Sequence, residues 1–181
     1  IFVPAVIFYT QETMGSSAGM HFWQSLFQSV TTRTAGFNTM DIEDLSEGSR
    51  YVMIILMLTG GAPGSTAGGI KTTTAFTLFM AMIAVLRMRG DVECSARRIP
   101  METVHQALAI FMMYLFLFFG VSICIGFVDH VPMIDAMVEV SSALGTVGLS
   151  IGLTENLCPF SKCLLMFLMY FGRVGALTMI Y

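Results

Sequence analysis

The sequence predicts an all-α membrane protein built from two parallel copies of one unit: a spanning helix, a short helix with a Gly-centred loop, and a second spanning helix. Three observations predict it. Of 181 residues, 55% are hydrophobic and 12% charged, against about 25% charged in an ordinary soluble domain. The apolar runs fall into two classes, some near the ~20 residues that cross a bilayer as helix and others too short to do so. A polar phrase occurs twice, "TAGFN" at Thr34–Asn38 and "TVGLS" at Thr146–Ser150, with an offset of about 112 residues.

Ile1 to Tyr9 reads as the tail of a first span. Met20 to Val30 is apolar but too short to cross, so it enters and returns, and "TTRTAGFNT" follows it. Tyr51 to Leu86 carries one charge, Lys71, and is too long for one straight crossing. Its middle, "TGGAPGSTAGG" at Thr59–Gly69, holds five glycines and a proline. That composition breaks a helix, leaving Tyr51–Leu58 and Ile70–Leu86 as two pieces. Irregular backbone at membrane depth is tolerated only where protein buries it or water lines it.

The order then repeats. Ala107 to Val128 is uncharged and apolar all round, as a lipid-embedded span is. Pro132 to Leu144 is another short, returning stretch, followed by "SSALGTVGLS". Pro159 to Tyr181 begins a last span with Arg173 deep inside it. Each unit crosses twice, so both point the same way, unlike inverted carrier repeats. Ile1 and Tyr181 both lie inside apolar segments, so the chain is expected to be a fragment of a longer membrane protein.

Charge orients the units. "RMRGDVECSARR", Arg87–Arg98, carries four arginines and is expected on the cytoplasmic side. Asp41, Glu43, Asp44, Glu47 and Glu155 follow the two phrases and fall outside. They read as loop solubility or as a negative vestibule that concentrates cations. The net charge of −3 offers no basic surface, so no nucleic-acid partner is expected. Cys94, Cys124, Cys158 and Cys163 form no CxxC pair and read as free thiols; no metal site is expected beyond a transported ion. No Ser/His/Asp grouping stands out, the histidines being scattered, so no catalytic residue and no enzyme is expected. "GSTAGGIKT" nearly spells a phosphate loop, but Ile70 separates Gly69 from Lys71 and an apolar helix precedes it where a strand is needed.

The repeated phrase has a physical use. Glycine permits backbone angles that other residues avoid. A chain alternating such angles aims successive carbonyl oxygens at one axis, and several such loops replace an ion's hydration shell, as in potassium filters built on Thr-Val-Gly-Tyr-Gly. "TVGLS" shares the first three letters of that phrase, and "TAGFN" keeps its Thr and central Gly. The arrangement is that of tetrameric cation channels. The expected ion ligands are the phrases Thr34, Ala35, Gly36, Phe37, Asn38 and Thr146, Val147, Gly148, Leu149, Ser150, through their backbone carbonyls.

The phrases "TTRTAGFNT", "GGAPGSTAGGIKTT", "SSALGTVGLS" and "FGRVGALT", in that order, resemble the Trk/Ktr/HKT superfamily of potassium transporters, and within it the membrane subunit of the bacterial Trk/Ktr branch. The resemblance covers nearly the whole chain. It implies four span–loop–span repeats around a pseudo-fourfold pore, of which residues 1–90 are similar to the third, 101–181 to the fourth, and 91–100 to a cytoplasmic linker. It implies potassium uptake across the bacterial inner membrane by a multi-pass protein in the lipid bilayer, with K⁺ as the ion carried. It also implies a homodimer and a cytosolic nucleotide-sensing regulatory ring. In relatives the Gly-rich link lies beneath the filter and obstructs the pore until a regulator moves it; the gate residues implied here are Gly60, Gly61, Gly64, Ser65, Thr66, Gly68, Gly69 and Arg173.

A charge inside a span is costly, so Arg173 is expected to face the pore. A guanidinium about 5 Å from a cation repels it by roughly 3 kcal/mol at an effective dielectric near 20. Lys71 is placed to reach backbone carbonyls or a lipid headgroup. Arg33 and Glu139 are expected to pair across the interface between repeats and brace the filter. A Na⁺-permeable or Na⁺-coupled relative, a two-pore-loop potassium channel subunit and a non-conducting scaffold are the competing readings. The broken helix and Arg173, each present in one repeat only, favour a single chain of divergent repeats over a symmetric channel dimer.

Overall fold

A computed structural model describes residues 1–15, 21–62, 64–65, 67–88, 92–94 and 97–174. Helix α1 runs over Phe2–Gly15, α2 over Phe22–Thr31, α3 over Glu47–Leu58 and α4 over Thr72–Leu86. Two short strands, β1 (Val92–Cys94) and β2 (Arg97–Ile99), pair antiparallel with Glu93 opposite Arg98. Helices α5 (Met101–Asp129), α6 (Met133–Gly145) and α7 (Pro159–Val174) complete the described chain. The fold is the helical one expected, and the two paired strands lie within the stretch 91–100 that the sequence marks as a linker.

The two units repeat element by element. Helices α1, α2 and α3 correspond to α5, α6 and α7. A 3₁₀ turn precedes the second span of each, at Ile42–Asp44 and at Leu153–Glu155. The Gly-rich stretch separates α3 from α4, as its composition requires. By length, α3 and α4 reach about 18 and 22 Å at 1.5 Å per residue, short of a hydrocarbon core of about 30 Å. Among the described residues α5 is the helix long and apolar enough to cross a membrane by itself, and α4 is a shorter apolar helix.

Several boundaries differ from expectation. Helix α1 continues past Tyr9 to Gly15, and α3 begins at Glu47 because Ser46 caps it, its Oγ accepting the Ser49 N–H at 3.4 Å. Helix α5 starts at Met101, after Pro100, where Pro fixes the entry to a first turn. Helix α2 starts at Phe22, and Gln24 reaches back to accept the His21 N–H at 2.9 Å. Met20 and the end of the expected last span, 175–181, lie outside the described residues.

Packing centres on α6, which lies against α3, α5 and α7. Its residues from Val138 to Gly145 are all buried. Two glycines let backbones meet there: a Cβ on Gly145 would stand 2.4 Å from the Met57 carbonyl oxygen, and one on Gly172 would stand 2.2 Å from that of Leu144. The end of α6 is thus wedged between α3 and α7. Helix α5 buries a stripe, Ala107, Tyr114, Phe118, Ser122 and Ile125. Its other faces expose residues such as Phe116 and Phe127, an apolar exterior suited to lipid.

Candidate functional site

Both phrases begin where a short helix ends, and both reverse the backbone hand at alternate residues. In the first, Thr34 has φ +71° and Gly36 has φ +75°; in the second, Thr146 has φ +54° and Gly148 has φ +91°. Glycine takes these angles without cost, whereas a β-branched residue there is an outlier that its surroundings must hold in place. The holding groups are the ends of the preceding helices. The Ala35 and Gly36 N–H groups donate to the Thr31 carbonyl at 3.1 and 3.2 Å, and Thr31 Oγ1 donates to the Phe37 carbonyl at 2.6 Å. In the second phrase the Thr146 N–H donates to Ala143 at 3.2 Å and the Val147 N–H to Ser142 at 2.9 Å.

The N–H groups thus point back into α2 and α6. Among the described residues, the carbonyls of Thr34, Ala35, Gly36, Thr146, Val147 and Gly148 accept no hydrogen bond. These six carbonyls, at three matched positions, are left free to accept from water or to face a cation. The two phrases also touch: a Cβ on Gly36 would stand 2.1 Å from the Val147 carbonyl oxygen. Beyond their far ends lies a cavity of about 210 Å³ lined by Asn38, Asp41, Glu43, Asp44 and Ser150. Three of the acids read from the sequence as loop solubility or as a negative vestibule therefore meet the last residue of each phrase.

Glu139 buttresses the second phrase. Its Oε1 accepts from Ser150 Oγ at 2.6 Å and from the Ile151 N–H at 3.0 Å, while Oε2 accepts from Thr154 Oγ1 at 3.0 Å. The expected pair with Arg33 does not form. Glu139 turns to the chain that follows its own helix, and Arg33 keeps a buried Nε without a partner. The ion pair between the two units is instead Arg50 with Asp135, Nη1 to Oδ1 at 3.0 Å, joining α3 to the first turn of α6. That pair was not expected from the sequence, though the repeat carries a signal for it. Arg50 donates to the Glu43 carbonyl and Lys162 donates to that of Glu155, a basic residue seven positions after a Glu in each unit.

The Gly-rich stretch folds into a loop with a closed neck, the Gly60 N–H donating to Ile70 at 2.9 Å and the Ile70 N–H to Leu58 at 3.0 Å. Glycine is needed at the neck, where a Cβ on Gly60 would stand 2.0 Å from the Gly68 carbonyl oxygen. Lys71 takes carbonyls as its partners, Nζ donating to Ser65 at 3.2 Å and Ala67 at 2.8 Å. Gly61, Gly64, Ser65, Gly68 and Gly69 all belong to this loop; Thr66 lies outside the described residues. The Gly68 N–H donates to Thr146 Oγ1 at 3.0 Å, which brings the loop to the start of the second phrase. Arg173, in the last turn of α7, follows Gly172, whose carbonyl oxygen would lie 3.0 Å from a Cβ on Gly68.

The profile of the family TrkH, described as "Cation transport protein", matches residues 3–181. The chain is 37% identical over 159 residues to the Ktr system potassium uptake protein B of Bacillus subtilis (strain 168), covering 88% of this chain and 36% of that one. It is 37% identical over 161 residues to the potassium/sodium uptake protein NtpJ of Enterococcus hirae, covering 87% of this chain and 36% of that one. The crystal structure of the potassium transporter TrkH from Vibrio parahaemolyticus superposes with a TM-score of 0.78 at 21% identity, over 99% of this chain and 41% of that chain. The chain thus spans little more than a third of the length of the curated relatives it matches.

Proposed function

The chain belongs to the TrkH family of cation transport proteins, which are not enzymes, and from that premise we propose that it forms half of a potassium-uptake pore. Backbone carbonyls of Thr34–Gly36 and Thr146–Gly148 replace water around a dehydrated K⁺, which then moves down its electrochemical gradient through the membrane. The observation that carries this reading is the shared backbone pattern: positive φ at Thr and at the Gly two residues on, in two loops that touch. Alternating hands turn successive carbonyls to one side, as a carbonyl-lined filter requires.

The neighbouring features fit that use. The acidic cavity raises cation concentration at the mouth by attraction over roughly one Debye length, about 8 Å at physiological salt. Residues 1–90 and 101–181 serve as two repeats joined by a cytoplasmic linker at 91–100, and two further repeats complete the ring. Phe37, Asn38, Leu149 and Ser150 continue the two filter loops outward, and Glu139 fixes the second. The Gly60–Gly69 loop lies below and obstructs the path, with Arg173 beside it repelling the ion. The relatives' names support K⁺ as the cargo and a multi-component Ktr system. We accordingly assign the whole protein to a bacterial inner membrane, as a homodimer bound to a cytosolic nucleotide-sensing ring.

The full-length protein in liposomes tests this. K⁺ efflux is expected in the wild type, with a lower K⁺ preference over Na⁺ in Gly148→Ser, whose new side chain must adopt φ +91° at a cost of about 1–2 kcal/mol. No K⁺ flux, or unchanged ion competition in the variant, would count against the filter. The name of the Enterococcus relative keeps a second reading open, in which Na⁺ also permeates. Na⁺ flux equal to K⁺ flux in the wild type selects it.

A further inference from the structure

We propose that Thr146 couples ion occupancy to the position of the Gly-rich loop, because a cation at its hydroxyl and the loop N–H that donates to the same oxygen repel one another. The inference rests on the filter reading above and adds a regulatory contact to it. Gly68 is buried between the two repeats, and its N–H donates to Thr146 Oγ1 at 3.0 Å. Among the described residues this is the hydrogen bond that ties the loop to the other unit. The fit is tight as well as polar: a Cβ on Gly68 would stand 2.5 Å from Thr146 Oγ1 and 2.7 Å from Thr146 Cγ2.

A hydroxyl oxygen has two lone pairs and one proton. With the Gly68 N–H aimed at it, the positive end of an amide dipole occupies the loop side of that oxygen. A cation approaching Thr146 from that side meets the positive end of the dipole head-on, and one of the two lone pairs is already engaged. A cation already held at Thr146 repels the N–H and weakens the latch. The two events are therefore negatively linked, and linkage is reciprocal: K⁺ at the inner end of the filter loosens the loop, and a seated loop lowers K⁺ affinity there. The loop responds as a body because Lys71 gathers the Ser65 and Ala67 carbonyls and the neck closes at Gly60 and Ile70. The expected size is that of one hydrogen bond, about twofold to tenfold in the open-to-closed ratio.

The test uses the full-length protein in liposomes with its other cysteines replaced by serine. Ala67→Cys, half-buried beside Gly68, is labelled with a water-soluble thiosulfonate in K⁺ or in N-methyl-D-glucamine at equal ionic strength. Labelling is expected to quicken about twofold to tenfold with K⁺. In Thr146→Val it should be fast and indifferent to K⁺, while Thr146→Ser, which keeps the hydroxyl, should restore the dependence. Gly68→Ala should behave like Thr146→Val with the filter residue intact, since its Cβ forces the loop from Thr146. Labelling that ignores K⁺ in the parent, or K⁺ dependence that survives in both Thr146→Val and Gly68→Ala, overturns the coupling. K⁺ flux through the same liposomes is read separately: it decides the transport reading, whereas labelling needs only that K⁺ binds.

Discussion

At the scale of single residues, the site depends on side chains that fix backbone. Glu139 is 5% exposed, and among the described residues its charge is met by one N–H and two hydroxyls, with no cation. Charge-assisted hydrogen bonds of this kind contribute about 1.5–3 kcal/mol each. Glu139→Gln keeps one acceptor oxygen and turns an NH₂ toward a hydroxyl or amide that was donating. The segment from Ser150 to Thr154 then loses part of its anchor, and the second Gly-centred loop slackens. Inhibition of rubidium uptake by Na⁺ should rise in the variant; the same inhibition as in the wild type would show that the contacts do not govern selectivity. The sequence made Glu139 conspicuous as a carboxylate in an apolar stretch, but its partner was not legible. Which way a short helix faces, and so whether Glu139 meets Arg33 or Ser150, depends on the turn that follows, and Gly152 at φ +87° makes that turn.

At the scale of elements, the two units share a fastening that simple alignment hides. In the first, Glu12 on α1 accepts from the Ser46 N–H at 3.1 Å and from Ser46 Oγ at 2.9 Å, at the start of α3. In the second, Asp129 on α5 accepts from the Cys158 N–H at 2.8 Å and from Ser161 Oγ, at the start of α7. Ser46 and Cys158 stand at matched repeat positions, but Glu12 and Asp129 do not, because the connections from first span to short helix differ in length. A carboxylate at a helix N-terminus stabilises through the cap and the macrodipole, together about 1 kcal/mol. Asp129→Asn should lower the unfolding free energy in detergent by about that amount, seen as a lower midpoint in a denaturant titration. A midpoint equal to that of the wild type would reduce the contact to a bystander. The helices themselves were legible from hydropathy and glycine content. The boundaries of α3 and α5 were not, since Ser46 and Pro100 set them through local capping and backbone geometry that apolar runs do not register.

At the scale of the whole molecule, the two units are equal in sequence order and unequal in cover. Helix α3 lays Arg50, Ile54 and Met57 toward α6, and Ile54 and Met57 are 5% and 0% exposed. The matched residues of α7 are Lys162, Met166 and Met169, and there Met166 and Met169 are 59% and 49% exposed. The two Gly-centred loops show the same inequality: Gly36 meets the Val147 carbonyl, whereas around a Cβ on Gly148 nothing lies within 4 Å. A rotation that carries the first unit onto the second would, applied again, set another short helix against Met166 and another loop against Gly148. The order of elements was legible in the sequence because hydropathy is local. Closure was not, because on the four-repeat reading it depends on surfaces that the two units do not supply. The four-repeat reading therefore makes a definite demand on α7. In the full-length protein, Met166→Cys should react with a membrane-permeant maleimide more slowly than Phe116→Cys, which is 79% exposed on the lipid-suited face of α5. Equal rates would mean that lipid bathes both, leaving Lys162 without the pore-helix acid that Arg50 finds in Asp135, and the ring would lack the neighbour that completes its filter.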